Sequence, residues 1–233
     1  MSGRVCVVAG VGPGTGAAVS ERFAREGDRV AMLARSSDRL AALAARIENA
    51  RPYSVDLCDR DAVERTFETI RGELGSIDVL VHNAADGAFG HFMEIEPKTL
   101  ERTFQTNVLS LLHTAQLAAP DMLAKGAGSI VITGNTSAWR GRASFAAFAP
   151  TKAAQRILAQ SMARHLGPQG VHVAYVVIDA VIDLPWTRRR MPDRPDEFFV
   201  RPSAIADTIL ALTLQDRSAW TFEADLRPFC ESW

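Results

Sequence analysis

Apolar residues gather in short runs at residues 5–9, 30–34, 79–82, 130–133 and 171–178. Between the runs they recur at helical spacing instead. This predicts helices near residues 14–26, 37–48, 60–74, 97–125 with a break, 148–167 and 203–214. Terminal signals agree at two of these, where Asp59 precedes one helix and Gly167-Pro168 follows another. Alternation of this kind builds βαβ units. Runs that are apolar on both faces suit parallel strands buried between two helix layers and joined by right-handed crossovers.

The expected fold class is therefore α/β, a doubly wound and mostly parallel sheet of Rossmann type, with residues 1–233 forming a single domain. No repeat, low-complexity tract or interdomain linker interrupts the pattern. The irregular stretch is 184–202, which carries Pro185, Pro192, Pro195 and Pro202 and the polar string Thr187 to Arg190. It reads either as a solvated surface loop or as a mobile lid over a ligand.

Composition narrows the function. Hydrophobic residues make up 47% of the chain and charged residues 23%, enough for a sizeable core and a charged surface. A formal net charge of -1 gives no general attraction to nucleic acid or an anionic membrane, so neither is expected as a partner. Cys6, Cys58 and Cys230 are too scattered for a disulfide framework or a metal site. His82, His91, His113, His165 and His172 show no metal spacing either. No export signal or membrane-length stretch is visible, and a cytoplasmic location is expected.

The first run leads into Gly10-Val-Gly-Pro-Gly14-Thr15-Gly16 and then directly into an Ala-rich helix. Glycine permits positive φ and close backbone approach, and free amides at a helix N-terminus attract a pyrophosphate. The turn is suited to a dinucleotide. Its spacing is not G-x-G-x-x-G, because Thr15 stands where the third glycine would be; Gly10, Gly14 and Gly16 fit G-x-x-x-G-x-G instead.

That spacing resembles the short-chain dehydrogenase/reductase family, and further matches run along nearly the whole chain. Asp56-Leu57 after the third strand resembles the family's adenine-contacting Asp. Asn83-Ala84-Ala85 resembles its Asn-Ala-Gly motif, with alanine replacing glycine, and Asn107 sits where the family places a catalytic or water-holding asparagine. The resemblance implies a dinucleotide cofactor and a small-molecule substrate. An acid at the end of the second strand would select NAD. Here the stretch ends in Ala34-Arg35-Ser36. Arg35 can pair with a 2′-phosphate through its planar fork and Ser36 can add a hydroxyl, so NADP(H) is favoured over NAD(H).

The catalytic positions depart from the family. Lys152 fits the lysine of Tyr-x-x-x-Lys, where in the family it also binds the nicotinamide ribose, but the tyrosine position is Phe148. Thirteen positions upstream, where the family has serine, stands Asn135, followed by Thr136 and Ser137. A phenyl ring has no proton to give, and loss of a general acid is worth about 10²–10⁴ in rate. Ordinary ketone reduction by the family's route is not expected. Asp179-Ala180 replaces the family's Pro-Gly beside the nicotinamide, followed by Val181-Ile182, and Asp179 is either a turn cap or a replacement polar group. Other candidates for an acid are Asp86, His91, Ser137, Ser144 and Thr151. Residues 217–228 resemble the tail of a bacterial subgroup of the family that also carries Phe at the tyrosine position.

The expected function is an NADP(H)-dependent oxidoreductase working without the tyrosine, with an imine or an activated alkene as a compatible substrate. Asn107 and Lys152 would position cofactor and water, and Asn135 or Ser137 the substrate. Two alternatives remain: a noncatalytic dinucleotide-binding or interaction protein, and a cofactor-independent isomerase or cyclase. Apolar stripes on more than one face of residues 97–125, and of the helix after Phe148, predict a homodimer or homotetramer.

Overall fold

The computed structural model describes residues 3–231. Seven parallel strands form one sheet in the order β3-β2-β1-β4-β5-β6-β9. These are β1 (Val5–Ala9), β2 (Arg29–Ala34), β3 (Ala50–Ser54), β4 (Val79–His82), β5 (Gly128–Asn135), β6 (Val171–Ile178) and β9 (Glu223–Leu226). A separate two-stranded ribbon pairs β7 (Val181–Ile182) with β8 (Phe199–Val200). Strand order runs outward in both directions from β1, so the crevice between β1 and β4 is the topological switch point of the doubly wound sheet.

Alternation along the strands builds two cores. Val5, Val7 and Ala9 of β1 point to one helix layer, while Cys6 and Val8 point to the other. The first layer holds α3 (Arg60–Leu74), α5 (Ser110–Lys125) and α6 (Ala149–Leu166); the second holds α1 (Thr15–Arg25), α2 (Ser37–Ala44) and α8 (Pro202–Thr213). Helix α3 shows how the sequence sets an element. Asp59 accepts a hydrogen bond from the Ala62 amide at 3.0 Å to cap it, Val63, Phe67, Ile70 and Leu74 bury one stripe, and Gly75 ends it at φ 100°.

Several boundaries differ from expectation. Helix α2 stops at Ala44 rather than 48, because the chain turns through buried Ile47 and exposed Asn49, whose φ of 64° is left-handed. The segment 97–125 is α4 (Pro97–Phe104), a π-helical turn (Gln105–Leu109) and α5, so the predicted break is a local widening of one continuous helix. Residues 184–202 are not wholly irregular. They contain the short helix α7 (Pro185–Arg190), a 3-10 turn and β8. Thr187 holds this segment by donating to the carbonyls of Ile182 and Leu184 and accepting from the Leu184 amide.

Candidate functional site

The glycine turn packs backbone against backbone at the switch point. Gly10 has φ 99°, and a Cβ there would sit 2.4 Å from the Ala84 nitrogen. A Cβ on Gly16 would lie 2.5 Å from the Gly10 oxygen, whereas one on Gly12 would meet nothing within 4 Å. Only glycine fits the two crowded positions. Gly14 is the N-cap of α1 and no side chain caps that helix end. The Thr15 hydroxyl beside it is buried and has no hydrogen-bond partner among the described residues. Free amides, a helix N-terminus and an orphaned hydroxyl together fit an anionic group such as a pyrophosphate.

A cavity of about 800 Å³ extends from this turn. Arg35, Ser36 and Arg39 border it on the β2 side, Asp56, Leu57 and Cys58 beyond β3, and Asn83, Ala84, Ala85 and Asp86 after β4. Arg35 and Arg39 form no ion pair among the described residues; both are exposed, Arg35 just before the N-cap Ser36 and Arg39 in the first turn of α2. Arg39 was not singled out from sequence, although its spacing from Arg35 is a usable signal. Asp56 is exposed and accepts from the Cys58 amide at 3.0 Å, while Leu57 is buried. Asn83 bolts three strand ends together: its Nδ2 donates to the Gly10 carbonyl at 2.8 Å, and its Oδ1 accepts from Thr133 at 3.0 Å.

Asn107, on the π-helical turn, is fully buried. Its Oδ1 accepts from the Asp86 amide at 2.8 Å, and its Nδ2 donates to the Asp86 carbonyl and, at 2.9 Å, to Thr151 Oγ1. Gln155 donates to the Asn107 carbonyl at 2.7 Å and accepts from Lys152 Nζ at 2.9 Å. Lys152 also donates to the Thr133 carbonyl at 3.3 Å. The result is one buried chain of hydrogen bonds running Asp86–Asn107–Gln155–Lys152–Thr133. Burial lowers the Lys152 pKa to about 8 and, with the Lys152 charge adding to the effect, that of His82 to about 3. Gln155 was invisible to sequence reasoning, since a helical glutamine ordinarily faces solvent.

Phe148 lies at the N-cap of α6, buried, with Phe89 and Phe145 at ring distances of 5.6 and 6.2 Å. No phenol replaces it. The Tyr53 hydroxyl donates to Glu73 at 2.8 Å, and Tyr175 is buried inside β6, its pKa pushed up by burial. Thr151 donates to the Phe148 carbonyl at 2.8 Å and Asp86 pairs with Arg102 at 2.9 Å. His91 is exposed, 3.6 Å from Glu94, and Ser144 is also exposed. Asn135 turns its Oδ1 back to cap the following turn, accepting from the Ser137 amide at 3.0 Å. Asp179 sits 3.8 Å from Arg140, and Ile182 pairs with Val200 in the ribbon. Leu184 closes over the glycine turn, its Cδ2 being 3.0 Å from where a Gly14 Cβ would stand.

Among the described residues no group of three or more His, Cys, Asp or Glu side chains is arranged to hold a metal, and no helix is long and apolar enough to cross a membrane.

Comparison with known proteins agrees with this geometry. The short chain dehydrogenase family pattern matches residues 4–189. D-erythrulose reductase of Gallus gallus is 31% identical over 96% of this chain and 93% of its own length. Carbonyl reductase [NADPH] 2 of Sus scrofa is 32% identical over 94% of this chain and 92% of its own. The crystal structure of a metagenomic short-chain oxidoreductase in complex with NADP superposes with a TM-score of 0.86 at 26% identity, covering 99% of both chains. The extent of these matches, together with the glycine turn at the switch point and Lys152 on α6, makes this chain a member of the short-chain dehydrogenase family of nicotinamide-dependent oxidoreductases.

Proposed function

We propose that the protein is an NADP(H)-dependent oxidoreductase that acts on a small molecule without a tyrosine proton donor. The observation that carries this reading is a cavity that runs from the glycine turn to Arg35 and Arg39, which form no ion pair among the described residues, in a chain whose Phe148 cannot donate a proton. When bound, the nicotinamide supplies or accepts a hydride. The amides of Gly14 to Gly16 and the Thr15 hydroxyl hold the pyrophosphate while Gly10 keeps the turn tight; Arg35, Ser36 and Arg39 take the 2′-phosphate; Asp56 and Leu57 flank the adenine. Asn83 and Ala84 shape the middle of the cleft, and Lys152, Asp179 and Ile182 belong to its nicotinamide end.

Asn107 acts as a positioning residue, since its amide is saturated by Asp86 and Thr151. Ser137, rather than the self-capping Asn135, orients the substrate. The phenyl ring of Phe148 makes the site apolar where a phenol would stand. That suits an imine or an activated alkene, whose proton comes from the substrate itself or from water. The segment 184–202 serves as a lid within a single domain, with Leu184 over the glycine turn. Exposed Leu100 and Phe104 on α4 and Ile157 on α6 support a homodimer or homotetramer, and exposed free Cys58 and Cys230 fit a reducing cytoplasm.

The test is a titration with NADPH and NADH followed by an imine, enone and ketone panel. Preferential NADPH binding with turnover of an imine or enone is expected. Binding without turnover of any panel member would instead favour a dinucleotide-binding protein that does not react, a reading in keeping with the self-satisfied Asn107 and Asn135. Failure to bind either dinucleotide would leave a cofactor-independent isomerase or cyclase.

A further inference from the structure

Gln155 is fully buried on α6, one turn beyond Lys152, and both ends of its amide are committed. Its Nε2 donates to the Asn107 carbonyl at 2.7 Å, and its Oε1 accepts from Lys152 Nζ at 2.9 Å. The direction of that amide is forced. A backbone carbonyl only accepts and an ammonium only donates, so a flipped amide would set acceptor against acceptor and donor against donor.

An ammonium carries three donors. Lys152 gives one to Gln155 and one to the Thr133 carbonyl at 3.3 Å, and the third has no acceptor among the described residues. The two acceptors come from different elements, α6 and β5, and together they fix where the amine stands. Both are neutral. Among the described residues the titratable groups beside the amine are His82 on β4 and Tyr175 on β6; Asp86 is paired with Arg102, and Glu223 of β9 with Arg156. A carboxylate at position 155 would close the lysine into an ion pair, whereas an apolar side chain would leave burial to strip its charge. Glutamine does neither.

We propose that Gln155 is a positioning residue for the cofactor end of the cleft: it holds Lys152 charged and in place, with one N–H left for a hydroxyl of the bound dinucleotide. This rests on the NADP(H) reading, in which Lys152 belongs to the nicotinamide end.

Two pH series on the full chain test it, urea unfolding without cofactor and NADPH titration. Burial sets the Lys152 pKa at about 8 against 10.5 in the unfolded chain, so the wild type gains stability as pH rises between these values. In Gln155→Met the charged amine loses its nearer acceptor, and that gain should begin about one pH unit lower. NADPH affinity should fall as pH rises through the range of the lysine, and in Gln155→Met this fall should begin lower by the same amount. Gln155→Glu, which sets a carboxylate beside the amine, should move both marks upward, and it decides the matter if Gln155→Met folds poorly. A role in packing alone would lower stability, or NADPH affinity, by the same factor at every pH, and that result in either series would overturn the proposal. A wild type that binds no NADPH would end the cofactor reading by itself, and the unfolding series would still decide whether Gln155 sets the charge of Lys152.

Discussion

The Nζ of Lys152 lies 5.9 Å from the centre of the Phe148 ring, so the buried amine faces an aromatic surface with no carboxylate among its hydrogen-bond partners. Ring attraction does not offset the loss of water, and burial takes the pKa from 10.5 to about 8. A lowered lysine pKa means that the unfolded chain binds the proton more tightly than the folded one. The resulting destabilisation is therefore complete below about pH 8 and disappears as pH rises through 10.5. Its full size is about 3 kcal/mol. Lys152→Met, which lacks the charge, should gain stability relative to wild type by about that much more at the acid end of this window than at the alkaline end. Urea unfolding at both ends measures the difference, and a gap that stays constant would rule the argument out.

Thr15 offers a separation of stability from binding. Valine has nearly the same shape and removes a buried hydroxyl that has no partner among the described residues. Thr15→Val should hold or raise the stability of the cofactor-free protein, by about 1 kcal/mol, because an unsatisfied polar group is lost. It should also weaken NADPH. Thermal unfolding with and without NADPH reads both effects; a variant equally stabilised by NADPH would remove Thr15 from the phosphate site.

Arg35 and Arg39 bear on cofactor choice. A hydrogen bond to a charged group contributes about 1.5–3 kcal/mol, so Arg35→Ala should weaken NADPH by about tenfold or more and leave NADH nearly unchanged. Arg39→Ala should act in the same direction. The preference for NADPH should also fall with added salt, since both side chains are exposed. Fluorescence titration of both dinucleotides decides this, and parallel losses for NADH and NADPH would count against a 2′-phosphate contact.

Phe148→Tyr restores a phenol 13 positions after Asn135 and four before Lys152. Recovery of a general acid is worth about 10²–10⁴ in rate. Ketone reduction should therefore appear, or rise by a factor in this range, while turnover of an imine or enone changes little. NADPH consumption with each substrate is the readout. A variant that folds, binds NADPH and still reduces no ketone would show that Phe148 is not the missing element alone.

The central sheet was readable in the sequence because β1, β2, β4, β5 and β6 are buried on both faces and so appear as continuous apolar runs. Its edges were not. Strand β3 exposes Arg51, Pro52 and Ser54, and β9 reads Glu-Ala-Asp-Leu; pairing along one side, rather than burial, makes them strands. The same division holds in the site. Glycines that carry a turn announce themselves by spacing. The saturation of Asn107, by contrast, depends on backbone groups of Asp86 lying 21 positions away, and Gln155, a helical neighbour of Lys152, reaches Asn107 only once α6 packs against the π-helical turn. The aromatic trio of Phe89, Phe145 and Phe148 likewise joins two loops that sequence spacing does not relate.

Strand β9 has a consequence for how the protein is made. It covers the outer edge of β6, whose eight residues are all buried, and Glu223 ties it to Arg156 on the helix that bears Lys152. During synthesis β6 emerges well before β9, so a nascent chain passes through a period with its longest fully buried strand open along one side. An open edge of that kind pairs readily with another chain. The polar four-residue strand that closes the sheet is thus also its guard against aggregation, and slow translation between β6 and β9 lengthens the interval of risk.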